Sequence, residues 1–130
     1  LITIKPPQGE KKVSLVATGS MLQMGDRLCK HFPDLGLISA PSLKPINKKQ
    51  VIELCRNHTA LITLEEHSIL GGLGSILSEI AVTLSNINIY KIGIQDKFSE
   101  NCGSYEYLLK EHGIDFDSLK VLIKKYISVK

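Results

Sequence analysis

Two carboxylates and an imidazole adjoin at Glu65, Glu66 and His67, and the small residues Gly71, Gly72, Gly74 and Ser75 follow within a few positions. Imidazole changes charge near neutral pH, so His67 is the foremost candidate in the chain for proton transfer or substrate contact. Adjacent residues at a strand end point in different directions, however, and the three side chains need not converge. A hydrogen-bonding role within the loop or at a subunit interface is the equal alternative. The glycines let the backbone turn tightly, and a helix starting behind them offers N–H groups to an anion. Their spacing matches neither a dinucleotide fingerprint nor a P-loop. Close packing of helix on sheet, or of this domain on another, is therefore the preferred reading of Gly71, Gly72 and Gly74.

A second loop competes for the same role. Thr18, Gly19 and Ser20 end a buried strand, with Ser20 placed to cap the next helix. Ligands of open α/β sheets sit beyond the C-terminal strand ends, where the strand order reverses. If the strands holding Val16 and Ile62 are neighbours, both loops reach one crevice.

The remaining reactive residues are more dispersed. His31, His58 and His112 each fall near a predicted helix end, where an imidazole meets free carbonyls, and they lack metal-ligand spacing. Asp96, Lys97, Ser99 and Glu100 could mimic an active-site cluster, and a solvated loop leading to a helix capped by Ser104 accounts for them equally well. The cysteines, Cys29, Cys55 and Cys102, are odd in number and far apart, which argues against a disulfide framework. Cys29 and Cys55 are expected to be buried and Cys102 exposed in a polar loop.

The elements that must hold these groups alternate along the chain. Strands are expected at Val13–Thr18, within Leu35–Leu43, at Thr59–Leu64 and at Ile87–Ile94. Between them, helical spacing places Met21, Leu22, Met24, Leu28 and Cys29 on one face up to Pro33, and Val51, Ile52, Leu54 and Cys55 on another behind the N-cap Asn47. Glu65 to Ser75 reads as a glycine-rich loop entering an apolar helix over Ile76–Leu84. Tyr105 begins a short helix stopped by Gly113, and Asp115 to Tyr126 closes the chain. Alternating strand and helix signals imply a parallel sheet wrapped by helices.

With 130 residues and 43% apolar content the sequence suits one domain with one sizeable core. Residues 1–12 read as an incoming edge strand and linker, entered from something upstream, and residues 13–130 as the domain itself. No stretch approaches the roughly 18 apolar residues of a membrane helix, and no signal peptide is visible. A soluble, cytoplasmic protein is expected. A net charge of +3 scattered over Lys11-Lys12, Lys48-Lys49 and Lys124-Lys125, with no Trp, three Phe and four Tyr, excludes an evident nucleic-acid surface.

Four segments in order carry a resemblance. Val13-Ser14-Leu15-Val16-Ala17-Thr18-Gly19-Ser20 resembles the opening strand and turn of the transketolase C-terminal domain, and Ser42-Leu43-Lys44-Pro45-Ile46-Asn47 is similar to that family's lysine-proline-leucine-aspartate segment. Ile62 to Ser75 resembles the strand, acidic pair and glycine-led helix shared by transketolases, deoxyxylulose-phosphate synthases and 2-oxo-acid dehydrogenase beta subunits. Gly93 to Phe98, Gly103-Ser104 and Tyr107 to Ile114 resemble the closing pattern.

The resemblance implies a three-layer α/β/α domain on a mostly parallel five-stranded sheet, whose antiparallel first strand is Leu1 to Lys5. It also implies a place in an enzyme that binds thiamine diphosphate and magnesium on its other domains, with no cofactor, metal or catalytic residue carried here. The implied partners are the upstream domains or subunit of that enzyme, in a homodimer or heterotetramer acting on sugar phosphates. Two-carbon ketol transfer is the activity implied, with deoxyxylulose-phosphate synthase or a non-catalytic docking module as alternatives. Pro41-Ser42-Leu43 and Asn101-Cys102 depart from the pattern and leave the subfamily open.

Overall fold

A computed structural model describes residues 1–129. Five strands and five helices follow in the order β1 (Ile2–Lys5), β2 (Val13–Ala17), α1 (Met21–His31), β3 (Gly36–Ser39), α2 (Lys48–Arg56), β4 (Ala60–Ser68), α3 (Leu73–Ala81), β5 (Asn88–Ile94), α4 (Tyr105–Glu111) and α5 (Phe116–Ile127). The sheet order is β1-β3-β2-β4-β5. β2 pairs in parallel with β3 and β4, β4 pairs in parallel with β5, and β1 runs antiparallel to β3. The expected architecture, including the antiparallel strand from the first residues, is the observed one.

β2 is buried at all five positions because helices cover both faces of the sheet, and its sequence is accordingly a nearly unbroken apolar run. Alternation divides it: Leu15 and Ala17 join Leu28, Ile62, Leu119 and Ile123 beneath α1 and α5, while Val16 joins Val51, Leu61, Leu73 and Leu77 beneath α2 and α3. α1 and α3 thus lie on opposite faces. The connections leave β2 and β4 in opposite directions, and the strand order reverses between these two neighbours.

Several boundaries differ from expectation, and two of the differences fall on the candidate site. β4 runs on to Ser68, taking Glu65, Glu66 and His67 out of the loop and into the strand. α3 begins at Leu73, so that Gly74 and Ser75 lie inside the helix. Tertiary pairing extends the strand: the register with β5 shifts after Leu64 and resumes at Ser68 opposite Ile94. The caps follow simpler rules. Asn47 accepts from the Gln50 N–H at 3.1 Å, Ser104 from the Tyr107 N–H at 3.2 Å, and Asp115 from the N–H groups of Asp117 and Ser118. Ser20 precedes α1 without a capping bond, because its hydroxyl is engaged elsewhere.

His58 fastens the start of the central strands to the end of α2. Its Nδ1 lies 2.8 Å from the Leu54 carbonyl, which can only accept, so Nδ1 carries the proton and Nε2 accepts from the Ser14 hydroxyl at 2.9 Å. Burial holds this imidazole below its ordinary pKa, against the pull of the Leu54 carbonyl and with help from Lys12. The unfolded chain then takes up the proton first as pH falls through about 6.5. The stabilising contribution is complete above that pH and is lost on acidification towards the lower folded value. Urea unfolding measured from pH 8 to pH 5 is expected to show this loss. A H58Q chain should show a flatter profile, and an unchanged one would remove His58 as the cause.

Candidate functional site

The C-terminal ends of β2 and β4 meet at the reversal point, where the Thr18 N–H donates to the Leu64 carbonyl at 3.2 Å. Both candidate loops therefore stand at one edge of the sheet. What they build there is set by Glu65, whose carboxylate is only 1% exposed. Its Oε2 accepts from the Leu73 N–H at 2.8 Å and its Oε1 from the Gly74 N–H at 3.0 Å. The first turn of α3, where the alternative reading placed free donors for an anion, has two of them engaged by an anion from its own chain. A carboxylate at a helix N-terminus also meets the positive end of the helix dipole.

The glycines make room for this arrangement. A Cβ at Gly72 would run into Glu65 Oε2, one at Gly74 would lie 2.6 Å from Lys91 Cγ and 2.8 Å from Thr63 Oγ1, and one at Gly93 would lie 2.8 Å from the His67 carbonyl oxygen. Gly71 serves differently, taking φ +76, a left-handed conformation that disfavours side chains. The Ser75 hydroxyl accepts from the Gly71 N–H at 3.0 Å and donates to the Ile69 carbonyl at 3.0 Å, closing the turn ahead of α3.

Glu66 points to the other side. Its Oε2 accepts from the Ser20 hydroxyl and, at 2.9 Å, from the Tyr105 hydroxyl. Loss of surrounding water, and then donation to this carboxylate, push the Tyr105 phenol above its ordinary pKa. Glu66 thereby joins the β2–α1 turn, the end of β4 and the start of α4. His67 is exposed, and no side-chain hydrogen bond to it occurs among the described residues. The three adjacent side chains thus serve three separate surroundings.

Gly93 and Tyr105 are absent from the sequence-derived set. A lone glycine within the apolar run Lys91 to Ile94 is a sign of close backbone approach and could have revealed the first. No local signal marks Tyr105, which lies far along the chain from Glu66. The other polar candidates stay apart: Ser99 Oγ meets His112 Nε2 at 2.8 Å, and the Glu100 N–H donates to Glu111 Oε1 at 3.1 Å. His31 packs edge-on against Phe32 with ring centres 4.8 Å apart. A cavity of about 300 Å³, lined in part by Val13, Phe32, Leu35 and Ile127, lies at the opposite end of the strands.

Comparison with known proteins decides the family. The profile of the family described as "Transketolase, C-terminal domain" matches residues 3–119. The chain belongs to this family. The domain is 34% identical over 113 residues to 1-deoxy-D-xylulose-5-phosphate synthase of Clostridium tetani (strain Massachusetts / E88), covering 83% of this chain and 18% of that protein. It is 31% identical over 124 residues to the synthase of the same name from Nitrosomonas europaea, covering 92% of the chain and 19% of that protein. Among solved structures, a chain titled "Split gene transketolase, inactive beta4 tetramer" superposes with a TM-score of 0.78 at 30% identity, over 91% of this chain and 40% of that one. This transketolase C-terminal domain thus spans about a fifth of the length of these curated relatives.

Two donors at the start of α3 are held by Glu65, and no group of three or more His, Cys, Asp or Glu side chains converges among the described residues. No helix among them is long and apolar enough to cross a membrane.

Glu65 and Gly72 are expected to be energetically coupled. E65A should lower the unfolding free energy by about 2–4 kcal/mol by leaving buried N–H groups unpaired. G72A should also destabilise, and much less so in the E65A background. A double-mutant cycle in urea checks this, with a coupling near zero counting against the arrangement. The thiols offer a second check. Burial pushes Cys29 up to about 11, with Asp26 adding to the shift and Lys5 opposing it, and burial also raises Cys55. Cys102 is exposed. A neutral disulfide reagent at pH 8 should therefore label Cys102 in the native chain and reach Cys29 and Cys55 only after unfolding.

Proposed function

We propose that this transketolase C-terminal domain completes a thiamine-diphosphate-dependent enzyme that moves two-carbon ketol units between sugar phosphates. Its own contribution is structural, completing the dimer or heterotetramer, while thiamine diphosphate, Mg²⁺ and substrate are held by the other domains or subunit. The complete enzyme works in the cytoplasm.

The observation that carries this reading is the buried Glu65 carboxylate in the first turn of α3. An α/β domain that binds phosphates presents such donors to its ligand, and here they are satisfied from within. Family membership and the likeness to a split-gene transketolase chain support the reaction class. A second reading, 1-deoxy-D-xylulose-5-phosphate synthase, is favoured by the names of the curated relatives.

The test assays the chain alone, the remaining polypeptide of its enzyme alone, and the two combined, each with thiamine diphosphate and Mg²⁺. Ketol transfer from a ketose phosphate to an aldose phosphate is expected only from the combination. Transfer by the isolated chain would overturn the structural role. Formation of 1-deoxy-D-xylulose 5-phosphate in place of ketol transfer would select the second reading.

A further inference from the structure

The neighbouring lysines Lys124 and Lys125, which spacing alone marks as a solvated helix face, stand in different surroundings. Lys124 lines a cavity of about 680 Å³ between the end of α1 and the outer part of α5, and Lys125 does not. Phe32, Val121 and Ile127 supply its apolar wall, while His31 and Lys120 join Lys124 as basic groups. Val121 is 73% exposed. One ring gathers the cations of this seam. The Arg27 guanidinium lies 4.5 Å from the centre of the Phe116 ring, the Lys120 ammonium 5.0 Å and the His31 ring 6.2 Å. Cations are drawn to an aromatic face, so α1 and α5 each deliver positive charge to the same place.

Little on the chain neutralises that charge. Among the described residues Asp117 is the one acid lining the cavity, and its carboxylate lies 2.8 Å from the Lys120 ammonium. Lys124 is exposed and takes part in no ion pair among the described residues. Two lysines against one aspartate leave a positive cleft, which draws anions towards it. We propose that this cavity binds a small organic anion, with an apolar body against Phe32, Val121 and Ile127 and the anionic group at Lys124 and His31. Both halves of the ligand are required by the lining. A bare inorganic anion would leave the apolar wall wet, and an uncharged apolar molecule would leave Lys124 without a partner. Ligand sites span about 300–1,000 Å³, a range that includes this one. The adjoining cavity of about 300 Å³ shares His31, Phe32 and Ile127 and carries Glu10 and Asp34. Repulsion from those carboxylates keeps the anionic end on the α5 side.

Anilinonaphthalene sulfonate, an apolar body with one anionic group, is a suitable probe. Titration of the chain, followed by fluorescence and calorimetry, should give one saturable site that weakens with added salt. K124E is expected to weaken binding by about tenfold or more, the scale of one charge-assisted contact, with K124Q in between. V121D should weaken it as well. K125E, altered at the neighbouring lysine outside the cavity, should bind as the wild type does. Inorganic sulfate and uncharged phenylnaphthylamine should each compete poorly. Lys124 and Val121 are exposed, so unfolding midpoints of the variants in urea should match the wild type and exclude dye uptake by loosened chains. Saturation should persist when the chain is combined with the remaining polypeptide of its enzyme. Equal binding by K124E and wild type, an equal loss in K125E, full competition by sulfate alone, absence of saturation, or loss of the site in the combined enzyme would each overturn the proposal.

Discussion

A buried carboxylate is tolerated only where fixed donors replace the water it has lost. Glu65 meets that condition by facing the first turn of α3, where two N–H groups and the helix dipole converge on its oxygens. Much else at this edge follows from it. Gly72 must lack a side chain because the carboxylate occupies that space, and Gly93 must lack one because β4 presses against it. The glycine-led segment therefore serves an internal anion, and the likeness to phosphate-binding loops is one of geometry.

The same edge shows how alternation distributes work along a strand. Glu65 is turned towards α3, and Glu66 towards the β2–α1 turn and α4, where it gathers the hydroxyls of Ser20 and Tyr105. Two adjacent acids with opposite directions pin helices from opposite layers to the end of one strand. The reversal of strand order between β2 and β4 makes this possible, since α1 and α3 start there on different faces of the sheet. A position that in other α/β domains opens a ligand crevice is here largely bridged by side chains.

Much of this architecture could be read from the sequence. The apolar run at Val13 to Ala17, the helical spacing from Met21 to Cys29 and the caps Asn47 and Asp115 obey local rules, and the structure follows them. The end of β4 was not legible, because Glu65, Glu66 and His67 carry no strand signal of their own and lie where the register with β5 shifts, between the pairs made by Leu64 and Ser68. The partner of Glu66 was hidden for a similar reason: Tyr105 arrives through tertiary packing, with no periodic pattern to announce it. Ser20 stands where a cap belongs, and only the fold shows that its hydroxyl is turned to a carboxylate on another strand. The distinction between a helix start that waits for a phosphate and one filled from within lies in side-chain direction, which spacing alone does not report.

The pairing of residue 13 with residue 60 carries a consequence for how the molecule comes into being. β2 precedes β4 in synthesis, and the strand that covers its inner flank arrives only after α1, β3 and α2 have been made. Until then a strand apolar on both faces stands with an open edge, a species prone to stick to others like itself. Closing such a distant pair requires ordering a long loop before any contact compensates for it, which makes assembly slow. Helper proteins that shield nascent chains would therefore find their main task in the interval before β4 docks.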